Sequence, residues 1–149
     1  MFAITALTAC SGDSDSTIDL THDACAPLAL VSAAPSELQL GGMQDGQALW
    51  RDRGAPALGL RAGATLEVRF EAAAANFHGL YDDEQGVIYV NTAIGERDVL
   101  AIVIAHELGH AFGLPHVTDR TSIMNPGNRS TPPTADDQLA LAALWGDCN

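Results

Sequence analysis

The chain has 149 residues, 47% of them hydrophobic, which suits one compact domain with a buried core. Its formal net charge is −12, from 19 acidic residues against seven arginines and no lysine. An acidic surface of this kind repels phosphate backbones, so we expect no nucleic-acid partner. The charge does not restrict which peptides or proteins could bind, and its ordinary role is to keep a protein soluble.

The first ten residues are mostly apolar and end in a cysteine, Cys10. Leu7-Thr8-Ala9-Cys10 resembles the bacterial lipobox, a signal sequence in which the cysteine is acylated and becomes the mature N-terminus. A signal peptide ordinarily opens with a basic region, which this chain lacks, so an ordinary N-terminus is the alternative. Residues 1–10 as a signal and lipobox segment predict an exported bacterial protein, either anchored to a membrane through Cys10 or extracellular.

Residues 11–24 are rich in Ser, Asp and Thr and poor in large apolar groups. We therefore expect a disordered acidic tether there and a folded domain over residues 25–149. Cys25 and Cys148 then lie near the two ends of that domain. In the oxidising compartment that export implies, they could form a disulfide, and two inert buried thiols are the alternative.

Hydrophobic periodicity predicts short strands and one helix in the first part of the domain. A short apolar run at residues 27–31 predicts the first strand, and helical spacing at residues 42–53 predicts a helix weakened by Gly46. Three further strands are expected, at residues 65–70, 77–81 and 86–91. Their signals are alternating apolar and polar residues or a polar turn at one end.

The last third of the chain is predicted to be mainly helical. Residues 96–112 are apolar on nearly all sides, which indicates a buried central helix, and Gly113 marks its end. A final helix is expected to begin after Thr134, with Asp137 in the capping-box position. The apolar residues expected on its buried side are Leu139, Leu141, Leu144 and Trp145.

The candidate chemistry lies in His-Glu-Leu-Gly-His-Ala-Phe-Gly-Leu-Pro-His, residues 106–116. His106 and His110 are four residues apart, so on a helix their imidazoles share one face and can reach one metal ion. A catalytic zinc takes three protein ligands and keeps a fourth position open for water. Gly113 can adopt the left-handed conformation, which would let the chain turn and bring His116 to the same ion. The spacing predicts one catalytic zinc.

Glu107 is rotated about 100° from His106 around the helix, so its carboxylate would flank the metal without binding it. Zinc lowers the pKa of water toward roughly 7. Glu107 would accept the proton of the attacking water and pass it to the leaving amine. The pattern predicts hydrolysis of peptide bonds with Glu107 as the general base.

This eleven-residue motif resembles that of the metzincin zinc metalloproteases, and the following residues are most similar to the matrixin family. Residues 122–126, Ser-Ile-Met-Asn-Pro, resemble the metzincin Met-turn, whose Met124 would lie under the zinc. An ordinary core methionine is the alternative for Met124. The spacing from His116 to Met124 is also similar to that of matrixins, and the resemblance is clear over residues 86–146. Further similar segments are Asp136-Asp137 and Leu144-Trp145-Gly146.

The resemblance implies an α/β fold of the α+β kind. Its expected parts are a small twisted mixed sheet with an antiparallel edge strand, a buried active-site helix, the Met-turn and a C-terminal helix. Residues 86–91 would be the edge strand, on which an extended peptide could pair as an added strand. Residues 125–133 would form the outer wall of the primed-side pocket. The resemblance implies a small bacterial zinc endopeptidase acting on peptides or proteins, and we expect a monomer.

The chain departs from the matrixins at residues 77–86. Matrixins carry a long loop with a structural zinc and calcium ions ahead of the edge strand, and this segment is too short to hold them. We therefore expect His78 to be a surface or rim residue instead of a second zinc ligand. Asp82, Asp83 and Glu84 are expected to form a solvated acidic turn, so calcium is not supported.

Two other functions stay open. The chain could be a non-proteolytic zinc-binding surface protein, or a processing protease restricted to one partner protein. Every catalytic position is filled, which favours a protease. Metal content measured together with a broad peptide digest separates the first alternative, and cleavage profiling on protein mixtures separates the second.

Overall fold

A computed structural model describes residues 17–149. They form a four-stranded mixed sheet of order β1-β2-β4-β3, in which β1, β2 and β4 are parallel and β3 is antiparallel to β4. This mixed architecture confirms the predicted fold class. The signal segment, Cys10 and residues 11–16 of the expected tether lie outside the described residues. The elements are β1 Leu28–Val31, α1 Glu37–Arg51, β2 Ala64–Glu71, β3 Gly79–Asp82, β4 Val87–Asn91, α2 Arg97–Ala111 and α3 Ala135–Trp145.

The antiparallel edge strand is β3, so the expectation that residues 86–91 form the edge was wrong. Strand β4 pairs with β2 on one side and with β3 on the other, which leaves it no free edge. Val87, Ile88 and Val90 are each at most 5% exposed. A nearly continuous apolar run is typical of an interior strand, whereas β3 is short and ends in a charged residue.

Helix α1 begins at Glu37, five residues before its predicted start. Ser36 Oγ accepts from Gln39 N, and the Gln39 side chain accepts from Ser36 N, which completes a capping box. Gly42 and Gly46 lie where α1 crosses α2. A Cβ at Gly46 would lie 3.0 Å from a backbone oxygen of α2, and one at Gly42 would lie 2.6 Å from a leucine of that helix. The glycines that weaken the helix signal therefore permit close helix packing.

Residues 17–24 contact the folded domain, whereas their composition predicts a disordered tether. The His22 backbone N–H donates to the last residue of α2 at 2.8 Å, and Leu20 O accepts from the Tyr81 hydroxyl at 2.7 Å. Ala24 is 1% exposed, and Ile18 packs against the core. These few apolar and backbone contacts order a segment whose Ser- and Asp-rich composition indicates disorder.

The core lies between the sheet and helices α1 and α2. At its centre the Trp50 and Phe112 rings meet edge to face with centroids 6.1 Å apart, a favourable aromatic geometry. The Trp50 indole N–H donates to Ala105 O of α2 at 2.7 Å, so the buried polar atom is satisfied. These contacts fix α2 against α1 over the turns that carry the candidate ligands.

Helix α3 has the predicted capping box of Thr134 and Asp137. Its buried side is smaller than predicted, because only Leu141 is fully buried while Leu139 is 68% and Leu144 is 51% exposed. Leu139 lies about 200° around the helix from Leu141, so both cannot face the core. None of the helices within residues 17–149 has the length and apolar character needed to cross a membrane.

Cys25 and Cys148 form a disulfide, one of the two alternatives that the sequence left open. The bond joins the chain just before β1 to the segment just after α3. It therefore fixes the end of α3 against the start of the sheet.

Candidate metal centre

Three histidines converge at the C-terminal end of α2. His106 and His110 project from one face of the helix with their ring centroids 4.9 Å apart. Gly113, at φ +99°, reverses the chain beyond the helix, and such a conformation favours glycine. The reversal places His116 Nε2 3.1 Å from Nε2 of His106 and 3.1 Å from Nε2 of His110. The three residues predicted as ligands are thus brought together.

Backbone carbonyls fix the proton on the outer nitrogen of two of these rings. His106 Nδ1 lies 2.6 Å from Ile123 O, and His110 Nδ1 lies 2.8 Å from Leu114 O. A carbonyl oxygen only accepts, so each Nδ1 must carry the hydrogen of the neutral ring, and each Nε2 turns a lone pair inward. A hydrogen on His116 Nε2 can satisfy only one of those two lone pairs. The donor set therefore fits a cation better than a hydrogen-bonded cluster.

Burial keeps these imidazoles in the neutral form that binds metals. It lowers the pKa of His106 to about 4, with neighbouring His116 as a smaller contribution in the same direction. It lowers the pKa of His110 to about 3, and the pKa of His116 is lowered by the same cause. The 3.1 Å separations also approach the roughly 3.3 Å expected between nitrogens around a tetrahedral zinc at about 2.0–2.1 Å.

Met124 lies directly beneath the helix turn that carries the first two histidines. It is 2% exposed, and a Cβ placed on Gly109, between His106 and His110, would collide with its sulfur. A larger residue than glycine at position 109 would therefore push the turn at residues 122–126 away from the helix.

Asp137 holds that turn in place, a role that the sequence did not indicate. It is 5% exposed, and its carboxylate accepts from Ser122 Oγ and from Ile123 N, the latter at 3.1 Å. Ser122 Oγ in turn accepts from Met124 N at 3.0 Å. Ile123 O accepts from the ring of His106. Asp137 therefore positions His106, a candidate metal ligand, through the backbone of Ile123.

Glu107 lies against the edge strand. It is 6% exposed, and its Oε2 accepts from Tyr81 N of β3 at 2.8 Å. Burial raises the pKa of Glu107 to about 8, and the hydrogen bond from Tyr81 opposes that rise. A Cβ on Gly79 would lie 3.1 Å from Glu107 Oε1, so the strand touches the carboxylate closely.

The acidic turn and His78 do not join a metal-ligand group within residues 17–149. Asp82 Oδ1 accepts from the backbone N–H groups of Glu84 and Gln85 at 3.1 Å, so its carboxylate stabilises the turn between β3 and β4. His78 is half-buried at the start of the edge strand, in a cavity that Arg129 also lines.

Three convergent imidazoles, two on a buried helix and one beyond its glycine turn, together with a methionine beneath them, form a candidate metal centre on a metzincin-like fold. The matrixin family profile matches residues 59–146, and the chain belongs to the matrixin family, whose members are zinc metalloendopeptidases. The solved structure of myroilysin is similar over 87% of this chain and 97% of that chain, with a TM-score of 0.57 and 11% identity. At that identity the likeness shows the fold alone. No curated protein sequence matches the chain.

Proposed function

We propose that this protein is a zinc-dependent endopeptidase in which Glu107 is the general base. The observation that supports this most strongly is the convergence of three Nε2 atoms, two of which must present lone pairs. His106, His110 and His116 would hold the ion. Bound there, zinc would acidify a water molecule and polarise the scissile carbonyl.

Glu107 has the environment of a group that exchanges protons near neutral pH. Its burial favours the protonated acid, while the Tyr81 N–H favours the carboxylate. A divalent cation nearby also favours the carboxylate, so the loaded protein is expected to hold Glu107 ready to accept a proton from the attacking water. The protonated carboxyl would then donate that proton to the departing amine nitrogen.

Strand β3 offers a free edge for the substrate. His78 O accepts from Asn91 N of β4, so the alternation of an antiparallel pair turns the backbone groups of Gly79 and Tyr81 toward the open side. The Tyr81 N–H is already bonded to Glu107. A peptide added as a further strand would therefore bond to Gly79 and to the Tyr81 carbonyl, next to the general base.

Replacing Gly79 with alanine is expected to lower kcat/KM by about 10–100-fold, because the new methyl group would displace Glu107 or the strand from its position. A Cβ there lies 2.9 Å from Val103 Cγ1 and 3.1 Å from Glu107 Oε1. Peptide hydrolysis and the melting temperature are measured on the same preparation. Wild-type kinetics in this variant would contradict the assigned substrate edge.

The decisive test of the function combines metal content with cleavage. We expect one zinc ion per chain by elemental analysis and chelator-sensitive cleavage of a peptide library. One zinc without any cleavage would favour a non-proteolytic zinc-binding surface protein. Cleavage confined to a single protein in an extracellular or periplasmic mixture would favour a dedicated processing protease.

We also propose that the protein is exported and that Cys10 is its lipid attachment point. The Cys25–Cys148 disulfide supports export, because such bonds persist in oxidising compartments. Replacing Cys10 with alanine is expected to move the protein from the membrane fraction to the soluble fraction of a bacterial expression host. Unchanged partitioning would count against acylation.

A further inference from the structure

A cavity of about 260 Å³ opens at the start of the edge strand. It is smaller than the roughly 300–1,000 Å³ typical of small-molecule sites, so it suits a single side chain. Phe77 and Ile94 supply apolar walls, and the groups with polar side chains are His78, Asn91, Glu96 and Arg129.

The cavity lies where an aligned peptide would pass. His78 directly precedes Gly79, where an added Cβ would lie 3.1 Å from Glu107 Oε1. A peptide paired with β3 and cleaved beside Glu107 would therefore carry one of its nearby side chains to this opening. Arg129 reaches the cavity from the loop that connects the turn at residues 122–126 to α3.

Arg129 is the cation that could bind a substrate side chain in this cavity. Its side chain forms no ion pair or hydrogen bond with any of residues 17–149, where both ion pairs belong to other arginines, Arg69 and Arg97. Its guanidinium carries five N–H donors in a planar fork that matches a carboxylate. Glu96, the exposed N-cap residue of α2, lies at the same cavity and forms no ion pair with Arg129.

The side chains of Asn91 and His78 are compatible with an acidic substrate side chain in the cavity. The Asn91 side chain is occupied, since its Nδ2 donates to Phe77 O at 2.8 Å and its Oδ1 accepts from Ala93 N at 3.0 Å. Burial lowers the pKa of His78, and Arg129 lowers it further. A neutral His78 presents one N–H donor to a guest.

We propose that this cavity is a specificity subsite for an acidic side chain, with Arg129 as its counter-charge. The inference rests on the proposed function, because the subsite serves the same protease. The stem of a glutamate would pack on Phe77 and Ile94 while its carboxylate meets the Arg129 guanidinium. The net charge of the chain is −12, so its surface as a whole repels acidic peptides. A single local cation would therefore select where in the peptide the acidic residue lies, without attracting acidic peptides in general.

Cleavage profiling of a peptide library by the full zinc-loaded chain tests the proposal. We expect at least a tenfold preference for Glu over Gln at one position on one side of the scissile bond. Arg129→Glu should reverse this preference toward Lys or Arg. Arg61→Glu makes the same change of charge at an exposed position outside the cavity and should leave the preference unchanged. A Glu preference that survives in Arg129→Glu would overturn the proposal, as would cleavage without any preference between Glu and Gln.

A second measurement separates this proposal from the protease assignment. The zinc-loaded Glu107→Ala variant is used to capture peptides from the same library, and the captured peptides are sequenced. Enrichment of acidic peptides that disappears when Arg129→Glu is added supports the subsite, even if the wild-type chain cleaves nothing. Equal capture of Glu and Gln peptides overturns the subsite and leaves any observed cleavage standing.

Discussion

Glu107→Ala is expected to lower peptide hydrolysis by about 10²–10⁴-fold while one zinc ion per chain stays bound, because general-base catalysis contributes this much. The carboxylate is not one of the three convergent donors, so its removal leaves the metal-ligand candidates in place. The variant loses the Glu107 carboxylate, the proposed proton acceptor, which accepts a hydrogen bond from Tyr81 N of the edge strand. Initial rates on a cleaved library peptide and elemental analysis of the same sample measure both quantities.

Two companion variants make the result specific. Glu107→Gln keeps an oxygen for the Tyr81 N–H but cannot exchange a proton, so it should be nearly as inactive as Glu107→Ala. Glu84→Ala removes an acid from the exposed turn after β3 and should retain wild-type rates. Full hydrolysis by Glu107→Ala would refute the mechanism. Loss of zinc from that variant would show that the carboxylate supports the metal site itself.

Asp137→Ala is expected to destabilise the fold by about 3 kcal/mol and to weaken zinc binding about 10–100-fold. The carboxylate accepts from Ser122 Oγ, Ile123 N, Thr134 N and Thr134 Oγ1, and its loss leaves the two buried donors, Ser122 Oγ and Ile123 N, without this acceptor. Because Ile123 O aligns His106, the damage reaches the metal centre. Urea unfolding of metal-free protein and competition with a zinc chelator measure the two effects separately.

Asp137→Asn is the matched control. Its single amide oxygen can replace Oδ2, which accepts three of the bonds, while its NH₂ group faces Ser122 Oγ, a hydroxyl oxygen that can accept. We therefore expect a loss of about 1 kcal/mol and zinc affinity close to wild type. Equal effects of the Asn and Ala variants would mean that the charge, and not the hydrogen-bond geometry, stabilises the turn.

The candidate ligands were predictable because their geometry is local. All three lie within eleven residues, and helical spacing together with one glycine reversal places them, as the distances between their Nε2 atoms show. Asp137 was predicted as a capping residue and as part of a matrixin-like segment, but its contact with the turn at residues 122–126 was not predicted. Its bonds to Ser122 and Ile123 cross 15 and 14 residues, and no local pattern encodes such a contact.

Arrangements that depend on distant pairing were harder to predict. Both strands around the acidic turn were expected, but which of them lies at the edge depends on β2, which pairs with β4. The early start of α1 was not predicted, because glycines weaken the helical pattern there. These glycines are present because larger residues would collide with helix α2. The position of residues 17–24 against the domain depends on hydrogen bonds to Tyr81 and to the end of α2, which are distant in the sequence.

The disulfide also determines what happens to a molecule that is cleaved once in a loop. It spans 123 residues, so almost every exposed loop lies inside the covalent ring. A molecule cleaved once in such a loop would stay in one piece until the disulfide was reduced, so its fragments would separate only on a reducing gel. In the chain-entropy view, the same ring stabilises the intact fold against unfolding by about 5 kcal/mol.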